Sequence, residues 1–531
     1  MATRTVNSAK NLYTGILAQL LSILLNFCVR TVFIYTLTES FLGINGLLSS
    51  LLSVLTLSDL GLASVMVYAM FKPMAEKDIE KTKSLLRFYR NAFRTVGFVF
   101  FALGLALMPF LPYLAKGSTD LVDLRVVYLL YLLDTLCSYL FFAYMTSVTS
   151  ADQQGYRLAG INYLTSTLTA VLRIVFLLLL RRAPAMSFYV YGAAGVASQI
   201  FGNILRCRKV RKLYPWTMDK EVKPLPAEDK KAIYKNLVGM TTNRVCRVLN
   251  DGIDSTIVSA LVGVATTGVF SNYIFIRSNI NKVLHSVFGS AHASIGNLLA
   301  VESDEKKESF FHSLQLVYFW VYGWCAICMW ILFNSFIVGV WTHDTRWLLP
   351  DVSVFLVCFN FLIEGIASAV VKYRDATGMF WQTKYRFIAS SVLNAVLSVV
   401  LTGPLHMGVN GALLGTTASL IVLIAYDPVI VYREVFHKKA GAYYRMYFRY
   451  LLLAMGTGAL VHVVCLPFSA YTFGCFALRL VICLAVPNGL WYLLFRKDHR
   501  FLYLRDTALG LVRRVTNRLK PGANHTKENG Q

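Results

Sequence analysis

Four charged residues share one face of a stretch long enough to cross a bilayer. Between Asn236 and Gly268, in NLVGMTTNRVCRVLNDGIDSTIVSALVGVATTG, lie Arg244, Arg247, Asp251 and Asp254. At about 100° per helical residue they fall within an arc of roughly 80°, a polar stripe on an otherwise apolar helix. A charge at mid-bilayer costs roughly 3 kcal/mol, so four facing lipid cost on the order of 10 kcal/mol. The stripe therefore predicts the wall of a wet cavity. Guanidiniums stay charged and grip phosphate through paired hydrogen bonds, which suits a diphosphate or an acidic sugar. The carboxylates suit a coupling cation, H⁺ or Na⁺, and no other cofactor is expected.

The N-terminal stretch from Asn11 to Gly43 repeats this pattern. Asn11-Leu12 answers Asn236-Leu237 at an offset of 225 positions, and the same offset carries Gly43 onto Gly268. Gln19, Ser22, Asn26 and Arg30 map onto Arg244, Arg247, Asp251 and Ser255 and again occupy one face. Asp152-Gln-Gln-Gly155 answers Asp375-Ala-Thr-Gly378 at an offset of 223. Duplicated halves with polar helices at equivalent places are a signature of secondary transporters.

Further charges fall inside apolar runs: Asp59, Asp134, Arg173, Arg277, Lys282 and Glu364. Asn26, Arg30, Arg244, Arg247 and Arg277 form the candidate substrate-binding set, because their cations stand on neighbouring helices. Asp254, Asp251 and Asp59 are the candidates for ion coupling. Asp134, Arg173 and Glu364 are lone charges, for which a buried ion pair or a snorkelling side chain is as good an account as a site.

The elements that must position these residues are membrane helices. The 531 residues are 56% hydrophobic and 15% charged, with mean hydropathy +0.55, which marks an all-α polytopic membrane protein. Apolar runs divide into about fourteen spans. Residues 1–205 hold six of these as an N-terminal lobe, 206–235 form a basic cytoplasmic linker, and 236–432 hold six more as a C-terminal lobe. Two spans follow in 433–495, and 496–531 read as a basic amphipathic helix on the inner membrane face with a disordered tail. The first apolar run is too long for a signal peptide and is expected to remain in the chain.

Of the 52 Lys and Arg, only Lys116, Arg181, Arg182 and Arg346 fall in the loops of one side. The positive-inside rule then places both termini and the linker in the cytoplasm. That topology, together with attraction to anionic lipids, accounts for the net charge of +24 without nucleic acid. Cys325 and Cys328 form a lone CxxC with no second pair, so packing explains them better than metal. Gly411-Ala-Leu-Leu-Gly415 predicts close helix packing. No catalytic triad, Walker loop or zinc motif occurs.

The opening pattern through Arg30-Thr31, the run FLGINGLLSSLLSVLTLSDLGLASVMVYAMFKP from Phe41 to Pro73, the basic stretch ending at Arg90 and GVNGALLGT from Gly408 to Thr416 carry a resemblance. They resemble the bacterial oligosaccharide flippases of the Wzx or polysaccharide-transporter family, within the MATE-like MOP superfamily. The resemblance implies two six-helix lobes around a central cavity, two added helices, and alternating access. It also implies ion-driven flipping of an undecaprenyl-diphosphate-linked oligosaccharide to the outer leaflet of the bacterial cytoplasmic membrane, for capsule, exopolysaccharide or O-antigen synthesis. Polysaccharide polymerases and glycosyltransferases would be the partners. The alternatives are a multidrug or lipid II exporter of the same superfamily, or a membrane polysaccharide polymerase. The surplus of arginine disfavours a carrier of cationic drugs, and the short external loops disfavour a polymerase.

Overall fold

The computed structural model describes residues 2–55, 62–117, 121–140, 143–152, 154–219, 222–231, 233–234, 252–289, 303–377, 379, 383–503 and 505–506. Asp59, Arg244, Arg247 and Asp251 lie outside the described residues, as do most of the striped seventh span and the chain from 507 onward.

The chain is a multi-pass, all-helical membrane protein. The longer helices are α1 (Ala2–Thr36), α2 (Glu39–Leu55), α3 (Leu62–Glu76), α4 (Ile79–Leu107), α5 (Leu124–Tyr139), α6 (Ala159–Leu179) and α7 (Pro184–Leu213). There follow α8 (Gly252–Leu261), α9 (Val264–Gly289), α10 (Asp304–Phe336), α11 (Asp351–Ala376), α12 (Lys384–Thr402), α13 (Val409–Val435), α14 (Gly441–Cys465) and α15 (Phe473–Phe495). Among the described residues, nine helical stretches are long and apolar enough to cross a membrane. They fall on the expected first, third, fifth and ninth to fourteenth spans. The sixth and eighth, α7 and α9, are helices of 30 and 26 residues whose polar side chains lower their hydropathy. The second and seventh include residues outside those described.

The fourth span departs from the sequence expectation of a continuous helix from Arg125 to Val148. Its α-helix stops at Tyr139, where Leu140 is extended, and helical structure resumes as a 3-10 turn over Ala143–Met145 and a short α-helix over Thr146–Ala151. A broken helix leaves carbonyls without partners, which a bilayer does not tolerate unless protein supplies a donor. Asn203 of α7 does so, its Nδ2 donating to the Cys137 carbonyl at 2.9 Å.

By internal contacts the chain forms two compact units. The first comprises residues 1–290, 337–360 and 379–423. Within it α2 and α9 meet backbone to backbone. A Cβ on Gly43 would fall on the Val264 carbonyl oxygen, and a Cβ on Gly268 on that of Glu39. Three residues further on, a Cβ on Gly46 would sit 3.5 Å from that of Ser271. The expected GxxxG packing is also present. A Cβ on Gly411 would lie 2.5 Å from the Thr402 amide nitrogen, and one on Gly415 would strike Ser398, so α13 lies directly against α12. Interhelical hydrogen bonds average only about 0.6 kcal/mol in a membrane, so this close packing carries the association.

The second unit comprises residues 291–336, 361–378 and 424–531. Here α10 packs on α14 and α15 through Phe319, which stacks on Tyr450 at 4.5 Å and lies 4.7 Å from Trp491. Cys328, one half of the CxxC, points its thiol at the Cys483 carbonyl, 3.9 Å away. Arg374, 1% exposed, donates to Asp427, 0% exposed, at 2.6 Å and to Asp375 at 2.7 Å.

The outward faces of the long helices are apolar, unlike those of a water-soluble bundle. Leu178, Leu179, Val392, Val396, Leu452, Val463, Leu493 and Leu494 are exposed on the long helices, while Asn272, Asn360, Asn394 and Ser398 are fully buried. Lipid solvates the former; the latter bond to neighbouring helices, as Asn360 does to the Leu413 carbonyl at 2.9 Å.

Candidate functional site

A cavity of about 410 Å³ lies within the first unit. Helix α1 contributes Asn26 and Arg30, α2 Asn45 and Ser49, α5 Tyr131 and Asp134, α6 Arg173, α7 Tyr191 and α9 Phe275. Asn26 and Arg30 face it because they are four residues apart on α1. Their ring of polar neighbours comes from helices that are apolar elsewhere.

Arg30 is held firmly. Its Nε donates to Asn272 Oδ1 at 3.0 Å and its Nη2 to Ser271 Oγ at 2.5 Å, both on α9. Its guanidinium carbon lies 5.3 Å from the centre of the Phe275 ring. The second terminal nitrogen, Nη1, makes no hydrogen bond to the described residues, so one edge of the fork is left for a ligand. Asn26 Nδ2 bonds Ser22 Oγ at 3.2 Å, on the same helix face.

The lining carries a second guanidinium. Arg173 stacks over Tyr191 at 4.4 Å, and its Nε is buried without a hydrogen-bond partner among the described residues. Gly195 makes room for it: a Cβ there would lie 2.7 Å from Arg173 Nη2 and 3.6 Å from Asp134 Oδ2. Arg173 and Asp134 thus both lie against one bare patch of α7 backbone. Tyr131, one turn before Asp134, donates its hydroxyl to Asn45 at 2.5 Å and ties α5 to α2. Two arginines against one aspartate give the cavity a net cationic lining that fits an anion.

Of the residues singled out from the sequence, Arg30 and Asn26 are in this cavity. Arg277 is half-buried on α9 but is not among the cavity's lining residues. It lies five residues past Asn272, about 140° round the helix. Asp254, on α8, accepts a hydrogen bond from Thr416 Oγ of α13 at 2.7 Å, away from the lining. Arg244, Arg247, Asp251 and Asp59 are outside the described residues. Asp134 and Arg173 come together although each stood alone in the sequence. The available signal was opposite charge on consecutive spans.

No family model matches the chain, and no curated relative matches it in sequence. Solved structures do match it in fold, each of them at under 15% sequence identity. A lipid II flippase, MurJ, in its inward closed conformation superposes with a TM-score of 0.63 at 14% identity, over 91% of this chain and 98% of that one. The eukaryotic MATE transporter AtDTX14 gives 0.56 at 12% identity, over 84% and 99%. A MOP-superfamily transporter from Pyrococcus furiosus Vc1 (DSM3638), described as having a binding pocket of reverse polarity, gives 0.54 at 12%, over 80% and 96%. The chain therefore shares the fold of these three structures.

Proposed function

We propose that this protein is a flippase for a lipid-linked oligosaccharide, moving an undecaprenyl-diphosphate-linked repeat unit from the cytoplasmic to the outer leaflet of a bacterial cytoplasmic membrane. The observation that carries the proposal is Arg30. It is a guanidinium fixed by Asn272 and Ser271 with one edge unspent, in an intramembrane cavity that holds a second guanidinium. A diphosphate is the membrane-borne group that such a lining fits, since bidentate charge-assisted bonds offset the cost of removing both charges from water. A MOP fold that also serves a lipid II flippase supports a lipid-linked cargo.

On this reading the protein is a transporter and not an enzyme. Residues 1–205 and 236–432 act as two related lobes, both termini are cytoplasmic, and cargo moves by alternating access. Arg30, Asn26, Arg244, Arg247 and Arg277 serve the cargo; Asp254, Asp251 and Asp59 serve an H⁺ or Na⁺ gradient. Anionic lipids surround the basic side, and a polysaccharide polymerase with glycosyltransferases works up and downstream.

The test is complementation in a bacterial strain that lacks its oligosaccharide flippase. Wild-type protein is expected to restore appearance of a single repeat unit on the outer leaflet, and Arg30→Ala is expected not to. Restored polymer length in a strain with normal export, and no restored flipping, would instead identify a polymerase.

A further inference from the structure

A second cavity, of about 500 Å³, lies in the first unit and shares no residue with the first. Its floor is α4, where Lys83, Arg87, Arg90 and Arg94 recur at spacings of four, three and four and so form a single cationic stripe. Arg211, from the last turn of α7, and Trp216, in the turn that follows, close the cavity from the other side. The opposite face of α4 is anchored by Leu85, Tyr89 and Phe93, which are buried in a hydrophobic cluster with Met145, Val210 and Tyr214. The stripe is therefore rigidly presented.

The charges are only partly answered. Lys83 Nζ bonds Asp219 at 2.7 Å and Glu80 at 3.0 Å, and Arg87 Nη1 donates to the Val222 carbonyl at 2.8 Å. Arg90 and Arg94 have no carboxylate partner among the described residues; Arg90 bonds the Tyr144 hydroxyl, while its Nε is buried with no hydrogen-bond partner among those residues. Like charges at i,i+4 and i,i+3 repel, so the stripe lowers helix stability unless an anion sits on it. Guanidiniums beside a tryptophan at the end of membrane helices match the headgroup level of a bilayer, where phosphate is found.

We propose that this cavity is a binding site for a lipid-borne phosphate or diphosphate headgroup, separate from the Arg30 cavity. Arg90 and Arg94 make charge-assisted hydrogen bonds to the phosphate oxygens, Arg87 and Arg211 add to the field, and Trp216 sits against the glycerol or prenyl stem. Two lipids carry that chemistry, an anionic phospholipid and a prenyl diphosphate. The site does not require the cargo assignment to hold.

The full-length protein is placed in nanodiscs of phosphatidylcholine doped with either phosphatidylglycerol or undecaprenyl diphosphate, and retained lipid is counted by native mass spectrometry. Wild type is expected to retain one more anionic lipid than Arg94→Gln or the Arg90→Gln/Arg94→Gln pair, with about tenfold weaker retention per guanidinium removed. Arg94 is exposed, so the single variant tests the site without disturbing the core. Arg90→Lys is expected to recover part of the retention, because it restores charge without the fork. Retention of phosphatidylglycerol identifies bulk lipid as the occupant; retention of undecaprenyl diphosphate alone identifies the prenyl lipid. Retention unchanged in the double variant for both lipids overturns the site. Loss of export in Arg30→Ala with retention intact leaves the site standing, so its fate is separable from that of the transport reading.

Discussion

Gly43 and Gly268, the residues that the 225-residue repeat aligns, face each other across the contact between α2 and α9. The contact is reciprocal: Gly43 opposes the carbonyl of Val264, and Gly268 opposes that of Glu39, itself 225 positions before Val264. Gly46 opposes Ser271, again its own counterpart. A pairing in which i meets j′ and j meets i′ is what a two-fold axis between related segments produces. It supports the proposed duplication, with the axis passing between α2 and α9.

Alanine at Gly43 or Gly268 is expected to push the helices apart and to destabilise the protein by about 1–3 kcal/mol, as overpacking does. Gly456, with no atom near its would-be Cβ, is the control and should be neutral or slightly stabilised as alanine. Thermal unfolding in detergent measures both; equal midpoints for Gly43→Ala and Gly456→Ala would contradict the backbone contact.

The Gly46 and Ser271 pair offers a lock. Their Cβ separation of 3.5 Å falls at the short end of the disulfide range. The Gly46→Cys/Ser271→Cys protein is expected to cross-link on oxidation and to stop transport, with activity returning on reduction. Ser271→Cys alone reports what is lost with the Arg30 contact. Full transport by the cross-linked form would mean that α2 and α9 do not separate during the cycle.

Arg30 and Asn272 form the best-defined polar contact of the cavity. Arg30→Ala is expected to lower transport by about 10- to 100-fold, from charge-assisted bonds worth about 1.5–3 kcal/mol, and Arg30→Lys to recover it only in part. Asn272→Ala frees the guanidinium without removing it, so it should weaken apparent affinity more than maximal rate. Concentration-dependent flipping in proteoliposomes separates the two. A pure rate effect would place Arg30 outside cargo binding.

The helical fold and most spans were legible because apolar run length acts locally. Arg30 was legible too, since Gln19, Ser22, Asn26 and Arg30 mark one face of one helix. Proximity was not. The repeat gave the equivalence of Gly43 and Gly268, but equivalence does not say that the two touch. Asp134 and Arg173 each looked like an isolated charge until α5, α6 and α7 were assembled around Gly195. Arg277 shares a helix with the Arg30 partners yet points about 140° away, which helix-level grouping overlooks. The break at Leu140 is invisible in the apolar run, because Asn203, far along the chain, is what makes it tolerable.

Asp134 and Arg173 invite a double-mutant cycle. Removing either charge leaves the other in a partly buried site, so Asp134→Asn and Arg173→Gln are each expected to cost about 1–3 kcal/mol of stability. The double variant should recover much of that loss. Export is expected to stay low in the double variant, because Arg173 supplies half of the cavity's positive charge. Export restored along with stability would make the pair a structural brace only.

The last expectation concerns coupling and Asp254. This carboxylate lies on α8 and accepts the Thr416 hydroxyl at 2.7 Å, a contact that joins α8 to α13. In the sequence Asp251, Arg247 and Arg244 precede it at spacings that put all four on one stripe of a continuous helix. In the proposed cycle those guanidiniums balance Asp254 while the cavity is empty, and an arriving diphosphate competes for them. A carboxylate deprived of cations in a poorly hydrated site takes up a proton or binds Na⁺. Either event makes ion affinity depend on cargo, and the dependence is reciprocal, as coupled transport requires. Asp254→Asn is therefore expected to retain cargo binding while losing the response to an imposed gradient, whereas Arg247→Ala should lose binding as well. Thr416→Val removes the hydroxyl and leaves the charge, so it should shift the pH or Na⁺ dependence without abolishing coupling. The measurement is export by proteoliposomes with and without a pH or Na⁺ gradient; a gradient response in Asp254→Asn equal to wild type would move the coupling role to Asp251 or Asp59.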